Sequence, residues 1–277
     1  MTSSNKNNVT AASNSSSSSS STRAPLAVAP GWTLLAHKSR PPHASPAAWP
    51  YTPADFARMD ESPDASFYMT PRFVTHIDDA AIERLRAYYT AVLPTRGRIL
   101  DLCSSWLSHY PPIIARAVAN GDLEVLGAGL NADELAANPI LARRKGAVAA
   151  VDWPLVRDLN LEPDLSDVLH ERDELLDAAT CVVSVDYLTR PTDVLAGLRR
   201  RVKSGGVVHL VLSNRCFATK VVSRWLRVSE DERLDMVADY LAFSGWSRIE
   251  VLESKGSKTF MGFESDPLWV VRGVNEG

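Results

Sequence analysis

The chain has 277 residues, of which 45% are hydrophobic and 23% are charged, as in ordinary globular proteins. Its net charge of −3 at pH 7 gives no general attraction to nucleic acid or to an anionic membrane, so we expect neither as a partner. The longest apolar runs have the length of strands, far below the roughly 18 residues of a membrane span. Three cysteines without a CxxC pair argue against a disulfide framework and against a metal site.

The first 50 residues have low complexity and contain a run of serines from Ser15 to Ser21. They hold too few apolar groups to offset the loss of chain entropy, so we expect residues 1–50 to be disordered. The first acidic residue of the chain is Asp55, and a serine-rich leader without acids is compatible with an organelle transit peptide. Its basic residues are sparse, which favours an untargeted tail on a cytoplasmic protein.

Residues 51–94 differ from this leader because they are rich in aromatic residues and proline. Asp78 is placed as the N-cap of a helix whose apolar residues recur at helical spacing as far as Val92, where Pro94 soon follows. We expect this segment to form a cap ahead of a main α/β domain at residues 95–277.

The main domain begins with a strand, a turn of small residues and a helix. Residues 99–102 are apolar except for one acid, and Cys103, Ser104 and Ser105 form the turn. Residues 113–118 then have the apolar character of a helix start. This order opens nucleotide-binding α/β folds, in which the turn and the helix N-terminus approach the ligand.

Further strands follow along the rest of the chain. Apolar or alternating runs place them at or within residues 125–126, 148–163, 180–185, 207–213, 246–253 and 266–273. We expect the last two to pair as an antiparallel hairpin after a helix at residues 231–245. The carboxyl ends of the parallel strands are where ligands bind in open α/β sheets.

These units resemble the successive motifs of class I S-adenosylmethionine-dependent methyltransferases. The strand ending at Asp101 and Leu102 is similar to the first motif, with Ser104, Ser105 and Trp106 in place of its usual glycines. The turn at residues 203–206 resembles the entry to the fifth strand. The resemblance covers residues 98–273 and implies a Rossmann-like seven-stranded sheet, mostly parallel with a C-terminal antiparallel hairpin, and helices on both faces. It also implies S-adenosyl-L-methionine as the cofactor.

The resemblance places the cofactor at the strand ends. The residues implied there are Asp101, Cys103, Ser104, Ser105, Asn131, Asp158, Leu159 and Ser184. Asn131 stands where the family uses an acid for the ribose hydroxyls, and it is also a plausible N-cap of the next helix. Asp158 stands where an acid often accepts the adenine amino group, with Leu159 packing on the ring.

The methyl acceptor is expected on the other side of the cofactor. The residues implied for it are Tyr68, Arg72, Tyr187, Asn214 and Arg215, with Phe67 and His76 as further lid residues and Lys220 and Arg224 as further cations. If the acceptor must lose a proton, His109 and Asp186 are the candidate bases. No catalytic base is required for methyl transfer, since positioning and desolvation supply much of the acceleration.

The sequence thus favours a methyltransferase with a small-molecule acceptor that it does not identify. The alternative is a methyltransferase-like binding or regulatory protein without transfer activity, which the missing motif glycines and ribose acid favour. A nicotinamide-dependent oxidoreductase is disfavoured, because neither GxGxxG nor a Tyr-x-x-x-Lys pair after the fourth strand is present. The oligomeric state is open.

Overall fold

One mixed sheet forms the centre of the protein in a computed structural model, which describes Met1 and residues 25–40, 48–143, 152–165, 175–256 and 264–277. The strands in these ranges are β1 (Thr33–Leu34), β2 (Gly97–Leu102), β3 (Leu123–Gly129), β4 (Leu155–Val156), β5 (Leu176–Val182), β6 (Val202–Ser213), β7 (Ser247–Ser254) and β8 (Leu268–Val274). The helices are α1 (Asp64–Phe67), α2 (Asp79–Val92), α3 (Pro112–Ala119), α4 (Ala132–Ala137), α5 (Pro191–Arg199), α6 (Ser223–Arg227) and α7 (Glu230–Phe243).

The strand order is β1-β7-β8-β6-β5-β2-β3-β4. The pairs β2–β3, β3–β4, β2–β5 and β5–β6 are parallel, whereas β8 runs antiparallel to both of its neighbours, β6 and β7. The predicted Rossmann-like sheet with its antiparallel C-terminal pair is therefore confirmed. The chain builds outward from β2 through β3 to β4 and then returns to β5 on the other side of β2. This reversal is the topological switch point at which open α/β sheets bind ligands.

Helices cover both faces of the sheet, as predicted. On one face, buried residues of α5 and α7 pack against alternate strand residues such as Leu100 and Leu210. On the other face, α2, α3 and α4 pack against the intervening residues, such as Ile99 and Val125. Since both sides are buried, the parallel strands are apolar along most of their length, and this explains why they were visible in the sequence.

The prediction of disorder through residue 50 extends too far. β1 adds an eighth strand that pairs antiparallel with β7, and Arg40 bridges to Ile249 beyond it. Trp32 is 6% exposed, and its ring centroid lies 4.9 Å from that of Tyr88. The burial of this one large side chain, together with the edge of β7, holds residues 25–40. Residues 2–24 and 41–47 lie outside the described residues, as does the first part of the segment predicted to hold the third strand.

The N-cap predicted at Asp78 is confirmed and also joins two distant segments. One carboxylate oxygen of Asp78 accepts a hydrogen bond from the backbone N–H of Ala81 at 2.7 Å, and the other accepts from that of Asp266 at 2.7 Å. Asp266 returns the contact by accepting from the backbone N–H of Asp78 at 2.9 Å. The start of α2 is thereby fastened to the start of β8. Among the helices that the structure describes, none has the length and apolar content needed to cross a membrane.

Candidate functional site

A cavity of about 610 Å³ opens at the switch point, where β2, β3, β5 and β6 end. Its walls include most of the predicted site residues: Tyr68, Arg72, His76, Asp101, Cys103, Ser104, Ser105, His109, Asn131, Asp158, Leu159, Ser184, Tyr187, Asn214 and Arg215. The residues predicted for the site that do not line it are Phe67, Asp186, Lys220 and Arg224. Small-molecule sites have volumes of about 300–1,000 Å³, so the cavity has the size of such a site.

A more open groove of about 900 Å³ lies beside this cavity, with Trp49 and Phe56 in its wall. Asp64, Asp158 and Asn160 line both spaces and separate them. The groove collects few of the predicted site residues and does not lie at the ends of the central strands. We therefore take the smaller cavity as the candidate site.

The turn after β2 has glycine-like geometry at Cys103 although no glycine is present. Cys103 has φ +54°, in the left-handed region that glycine favours. The backbone N–H of Ser104 donates to the carbonyl of Ala128 at 2.7 Å. A Cβ atom on Gly129 would lie 2.1 Å from the carbonyl oxygen of Ser104, so the end of β3 meets the turn without spare room. The close backbone approach required of this motif is thus supplied by Gly129.

The serines that replace the motif glycines hold the turn by their hydroxyl groups. Ser104 donates to Asp101 at 2.6 Å, and Ser108 donates to the same carboxylate at 2.7 Å. Ser105 donates to Glu134 at 2.5 Å. Asp101 also accepts from Thr180 of β5 at 3.2 Å, so its carboxylate fastens the turn to two strands. A cofactor contact by Asp101 stays a prediction, and its observed bonds give it a positioning role.

Asp101 gives a testable pH dependence. Burial raises its pKa to about 6, against the lowering effect of the three hydroxyl groups that donate to it. The protonated form is favoured in the folded state, so this group's stabilisation is present below its ordinary pKa of 3.8 and is lost as pH rises through about 6. We therefore compare the free energy of unfolding of Asp101→Asn with that of the wild type at each pH. The difference, variant minus wild type, is expected to increase by about 3 kcal/mol as the pH rises from about 4 to about 7.

Urea unfolding of both proteins across this range measures the difference. Burial lowers the pKa of His109 to about 4, so this residue makes the free energy of unfolding rise with pH. Both proteins contain His109, so its effect cancels in the difference between their stabilities. Parallel stability curves for the two proteins would contradict the assignment.

Asn131 has the predicted N-cap role, and all its polar atoms are used by the protein. Its side-chain oxygen accepts from the backbone N–H groups of Asp133 and Glu134, each at 3.0 Å. Its amide nitrogen donates to the carbonyls of Tyr68 at 2.8 Å and Met69 at 3.2 Å. A ribose contact by Asn131 stays a prediction, and it requires the release of one of these bonds.

Glu134 lines the cavity and was not identified in the sequence as a site residue. Its carboxylate accepts from the backbone N–H of Arg72 at 2.7 Å and from Ser105, so it joins the cap segment to the turn after β2. The signal in the sequence was an acid three residues after the N-cap Asn131, a position that stabilises the first turn of a helix.

The loop after β4 is tied to the rest of the cavity by Asn160. Its amide nitrogen donates to Asp64 at 2.9 Å and to the carbonyl of Tyr187 at 3.0 Å, and its oxygen accepts from the backbone N–H of Thr189 at 2.7 Å. Asp158 accepts from the backbone N–H of Asn160 at 2.9 Å. The predicted adenine loop is therefore held in place, while an adenine contact by Asp158 and Leu159 stays a prediction.

Lys220 is not one of the cations of the cavity. Its side chain is fully buried, and its Nζ donates to the carbonyl of Ser62 at 2.7 Å and lies 3.2 Å from a carboxylate oxygen of Asp60 and 3.4 Å from one of Asp64. The expectation that Lys220 orients a substrate is wrong, because this network joins it to the cap segment instead. Arg224 lies 3.5 Å from Asp55 in the same way.

Aromatic side chains from the cap and from the loop after β6 form one wall. The ring centroid of Phe217 lies 5.6 Å from that of Phe67, 5.4 Å from that of His76 and 6.1 Å from that of Tyr187. The guanidinium carbon of Arg72 lies 4.5 Å from the ring centroid of Phe67 and 5.0 Å from that of Phe217. The predicted lid residues therefore come together over the cavity.

The two candidate bases have different surroundings. Burial lowers the pKa of His109 to about 4, so its imidazole is neutral at pH 7 and is a weaker base than a solvated histidine. Its Nδ1 is buried with no hydrogen-bond partner among the described residues. Asp186 is 4% exposed, burial raises its pKa to about 7, and it does not line the cavity. The geometry therefore favours His109, and a catalytic role for either residue stays a prediction.

Comparisons with known proteins give distant structural similarities. No family model matches the chain, and no curated protein matches it. The phosphoethanolamine N-methyltransferase 2 of Haemonchus contortus, in complex with phosphomonomethylethanolamine and S-adenosylhomocysteine, is similar at 13% identity over 83% of this chain, with a TM-score of 0.45. This chain covers 61% of that protein's chain.

Two further solved structures are similar at the same level. An S-adenosylmethionine-dependent methyltransferase from Archaeoglobus fulgidus has 12% identity over 71% of this chain and 93% of its own, with a TM-score of 0.45. Precorrin-6y C5,15-methyltransferase from Geobacter metallireducens has 13% identity over 70% and 86% of the two chains, with a TM-score of 0.39. The chain has the Rossmann-like fold implied by its sequence motifs, with a cavity at the switch point of the sheet.

Proposed function

We propose that the chain is an S-adenosylmethionine-dependent methyltransferase that acts on a small-molecule acceptor. The observation that carries this proposal is the cavity at the switch point, because residues implied for cofactor and acceptor by separate motifs line one space. The moderate net charge of −3 and the cavity volume of about 610 Å³ support a small molecule over nucleic acid.

The residues present fit S-adenosylmethionine. Gly129 leaves the turn after β2 free of side-chain bulk at its closest approach, and the turn at Cys103 has the left-handed geometry of a glycine. Glu134 supplies a carboxylate that suits the cofactor's ammonium group. Asp158 and Leu159 would hold the adenine. When bound, the cofactor supplies an electrophilic methyl group.

The chain's own residues would position the acceptor and exclude water. Phe217 and Tyr187 form an apolar wall of the cavity, with Phe67 packed against Phe217, and this wall would lower the local dielectric and hold an acceptor close to the cofactor. His109 lines the cavity, its Nδ1 has no hydrogen-bond partner among the described residues, and it would take a proton from an acceptor that must lose one.

Isothermal titration of the full chain with S-adenosylhomocysteine, and separately with NADH, tests the proposal. We expect S-adenosylhomocysteine to bind with a dissociation constant on the order of micromolar and NADH not to bind. Incubation with methyl-labelled S-adenosylmethionine and a small-molecule extract then tests transfer. Absence of S-adenosylhomocysteine binding would contradict the proposal, whereas binding without transfer would favour the methyltransferase-like binding protein.

A further inference from the structure

Among the described residues, Arg72 is an arginine of the cavity whose charge is not neutralised by a carboxylate. Arg215 lies 2.8 Å from Asp266, and Arg157 lies 3.5 Å from Glu162. Arg72 also lines the cavity, yet within the described part of the chain no carboxylate oxygen lies within 4.0 Å of its guanidinium. A cation without a counter-ion at a ligand cavity is suited to an anionic group of the ligand.

Arg72 is held in a fixed place by its surroundings. Its guanidinium lies against the rings of Phe67 and Phe217, at 4.5 and 5.0 Å, and its backbone N–H is bonded to Glu134 at 2.7 Å. The two aromatic faces displace water from the guanidinium, which strengthens its attraction to an anion. Its side-chain hydrogen bond to the carbonyl of Phe67 is long at 3.5 Å, and towards the described residues most of its five donor hydrogens are available.

Two phenol groups line the same cavity as this arginine and are neutral donors. Burial raises the pKa of Tyr68 far above its ordinary value, and the nearby Arg72 charge lowers it only in part. Burial likewise raises the pKa of Tyr187, and the Asp186 carboxylate adds to this effect. The oxygen of Tyr187 accepts from the backbone N–H of Phe217 at 2.7 Å, which leaves its own proton free to donate. Both tyrosines line the cavity.

We propose that Arg72, together with the hydroxyl groups of Tyr68 and Tyr187, forms an oxyanion subsite that binds a carboxylate or phosphate group of a molecule in the cavity. The identity of that molecule rests on the proposed function. Two sources have this chemistry: the α-carboxylate of the cofactor, and an acid group on the methyl acceptor. In either case Arg72 forms a charge-assisted bond, which is stronger than a neutral one.

The first experiment measures the affinities of S-adenosylhomocysteine and 5′-methylthioadenosine for the full-length wild type, Arg72→Gln and Arg72→Lys by isothermal titration. The two ligands share the sulfur nucleoside, but only the former has a carboxylate. If the cofactor fills the subsite, Arg72→Gln weakens S-adenosylhomocysteine by about tenfold or more and leaves methylthioadenosine unchanged, while Arg72→Lys retains part of the affinity. Arg190→Gln is the matched control, because Arg190 is 53% exposed and paired with Asp193 outside the cavity.

The second experiment titrates benzoate, inorganic phosphate and neutral benzamide into the protein saturated with S-adenosylhomocysteine. If the acceptor fills the subsite, benzoate or phosphate binds the wild type and Arg190→Gln, and Arg72→Gln weakens this binding about tenfold, with S-adenosylhomocysteine unaffected. The proposal is overturned if Arg72→Gln, shown by circular dichroism to be folded, behaves like Arg190→Gln towards all the anionic ligands.

The two proposals fail separately. If the wild type does not bind S-adenosylhomocysteine, the proposed function fails, and the benzoate and phosphate titrations on the ligand-free protein decide the subsite alone. If neither anion then binds in an Arg72-dependent way, the subsite is refuted as well. Arg72→Lys keeps the test valid if Arg72→Gln does not fold, because it retains the charge but lacks the planar fork of donors.

Discussion

Lys220→Met is expected to lower the free energy of unfolding by about 2 kcal/mol, because it removes the hydrogen bonds of a buried charged donor. Lys220 is fully buried and lies 3.2 Å from Asp60 and 3.4 Å from Asp64, and it donates to the carbonyl of Ser62 at 2.7 Å. Arg58 remains bonded to Asp64 at 2.7 and 2.8 Å in the variant, so that carboxylate keeps a partner. The loss then comes mainly from the hydrogen bonds to the carbonyl groups of Asp60 and Ser62, since the Asp60 carboxylate is 35% exposed and is solvated by water.

The loss should also be visible locally. Lys220 follows β6, whereas its partners lie in the cap segment before α2, so the bond joins two walls of the site. We expect faster proteolysis within residues 51–68 of the variant under native conditions. Urea unfolding followed by tryptophan fluorescence gives the global value.

Lys203→Met is the matched control. Lys203 lies 2.8 Å from Asp177, but its side chain is 42% exposed, so the variant should lose less than about 1 kcal/mol. Equal losses in the two variants would show that the burial of Lys220 does not matter and would contradict the prediction.

Gly129→Ala is expected to weaken S-adenosylhomocysteine binding by about tenfold or more, which corresponds to the loss of about one hydrogen bond to a ligand when the turn beside it moves. The new Cβ would lie 2.1 Å from the carbonyl oxygen and 3.1 Å from the carbonyl carbon of Ser104. Both are backbone atoms, so the turn after β2 must move as a unit. That movement would disturb the hydroxyl bonds from Ser104 and Ser105 to Asp101 and Glu134.

Gly127→Ala provides the control in the same strand. Its Cβ would meet Leu141 Cδ1 at 2.5 Å, and this is the end of a side chain that can rotate away. We expect a loss of stability of about 1–3 kcal/mol from overpacking, with affinity for S-adenosylhomocysteine close to that of the wild type. Isothermal titration of both variants measures the contrast, and normal binding by Gly129→Ala would place the cofactor away from this turn.

Much of the fold could be predicted because it depends on local patterns. The runs at residues 99–102, 180–185 and 207–213 are apolar because both faces of the sheet are covered, and this character is visible without a structure. The caps at Asp78 and Asn131 were also predictable, since their side chains bond backbone groups two or three residues away. Features of this kind need no knowledge of distant neighbours.

β1 was missed for the opposite reason. It has two residues, and it is a strand only because the edge of β7, more than 200 residues later in the chain, is open to it. The surrounding serine-rich composition predicts disorder. Trp32 was the one signal against this, and its importance is evident only from the ring of Tyr88 beside it.

The candidate site shows the same division between sequence and structure. From the sequence, the order of strands and turns determined which residues meet at the edge of the sheet, because the carboxyl ends of parallel strands converge. Only the tertiary structure decided what each polar group does there. Lys220 looks like a solvated cation in the sequence and is buried among acids from the cap, while Arg72 has no carboxylate partner in the described part of the chain. Charge pairing depends on distances between segments far apart in the chain, and local sequence patterns do not contain those distances.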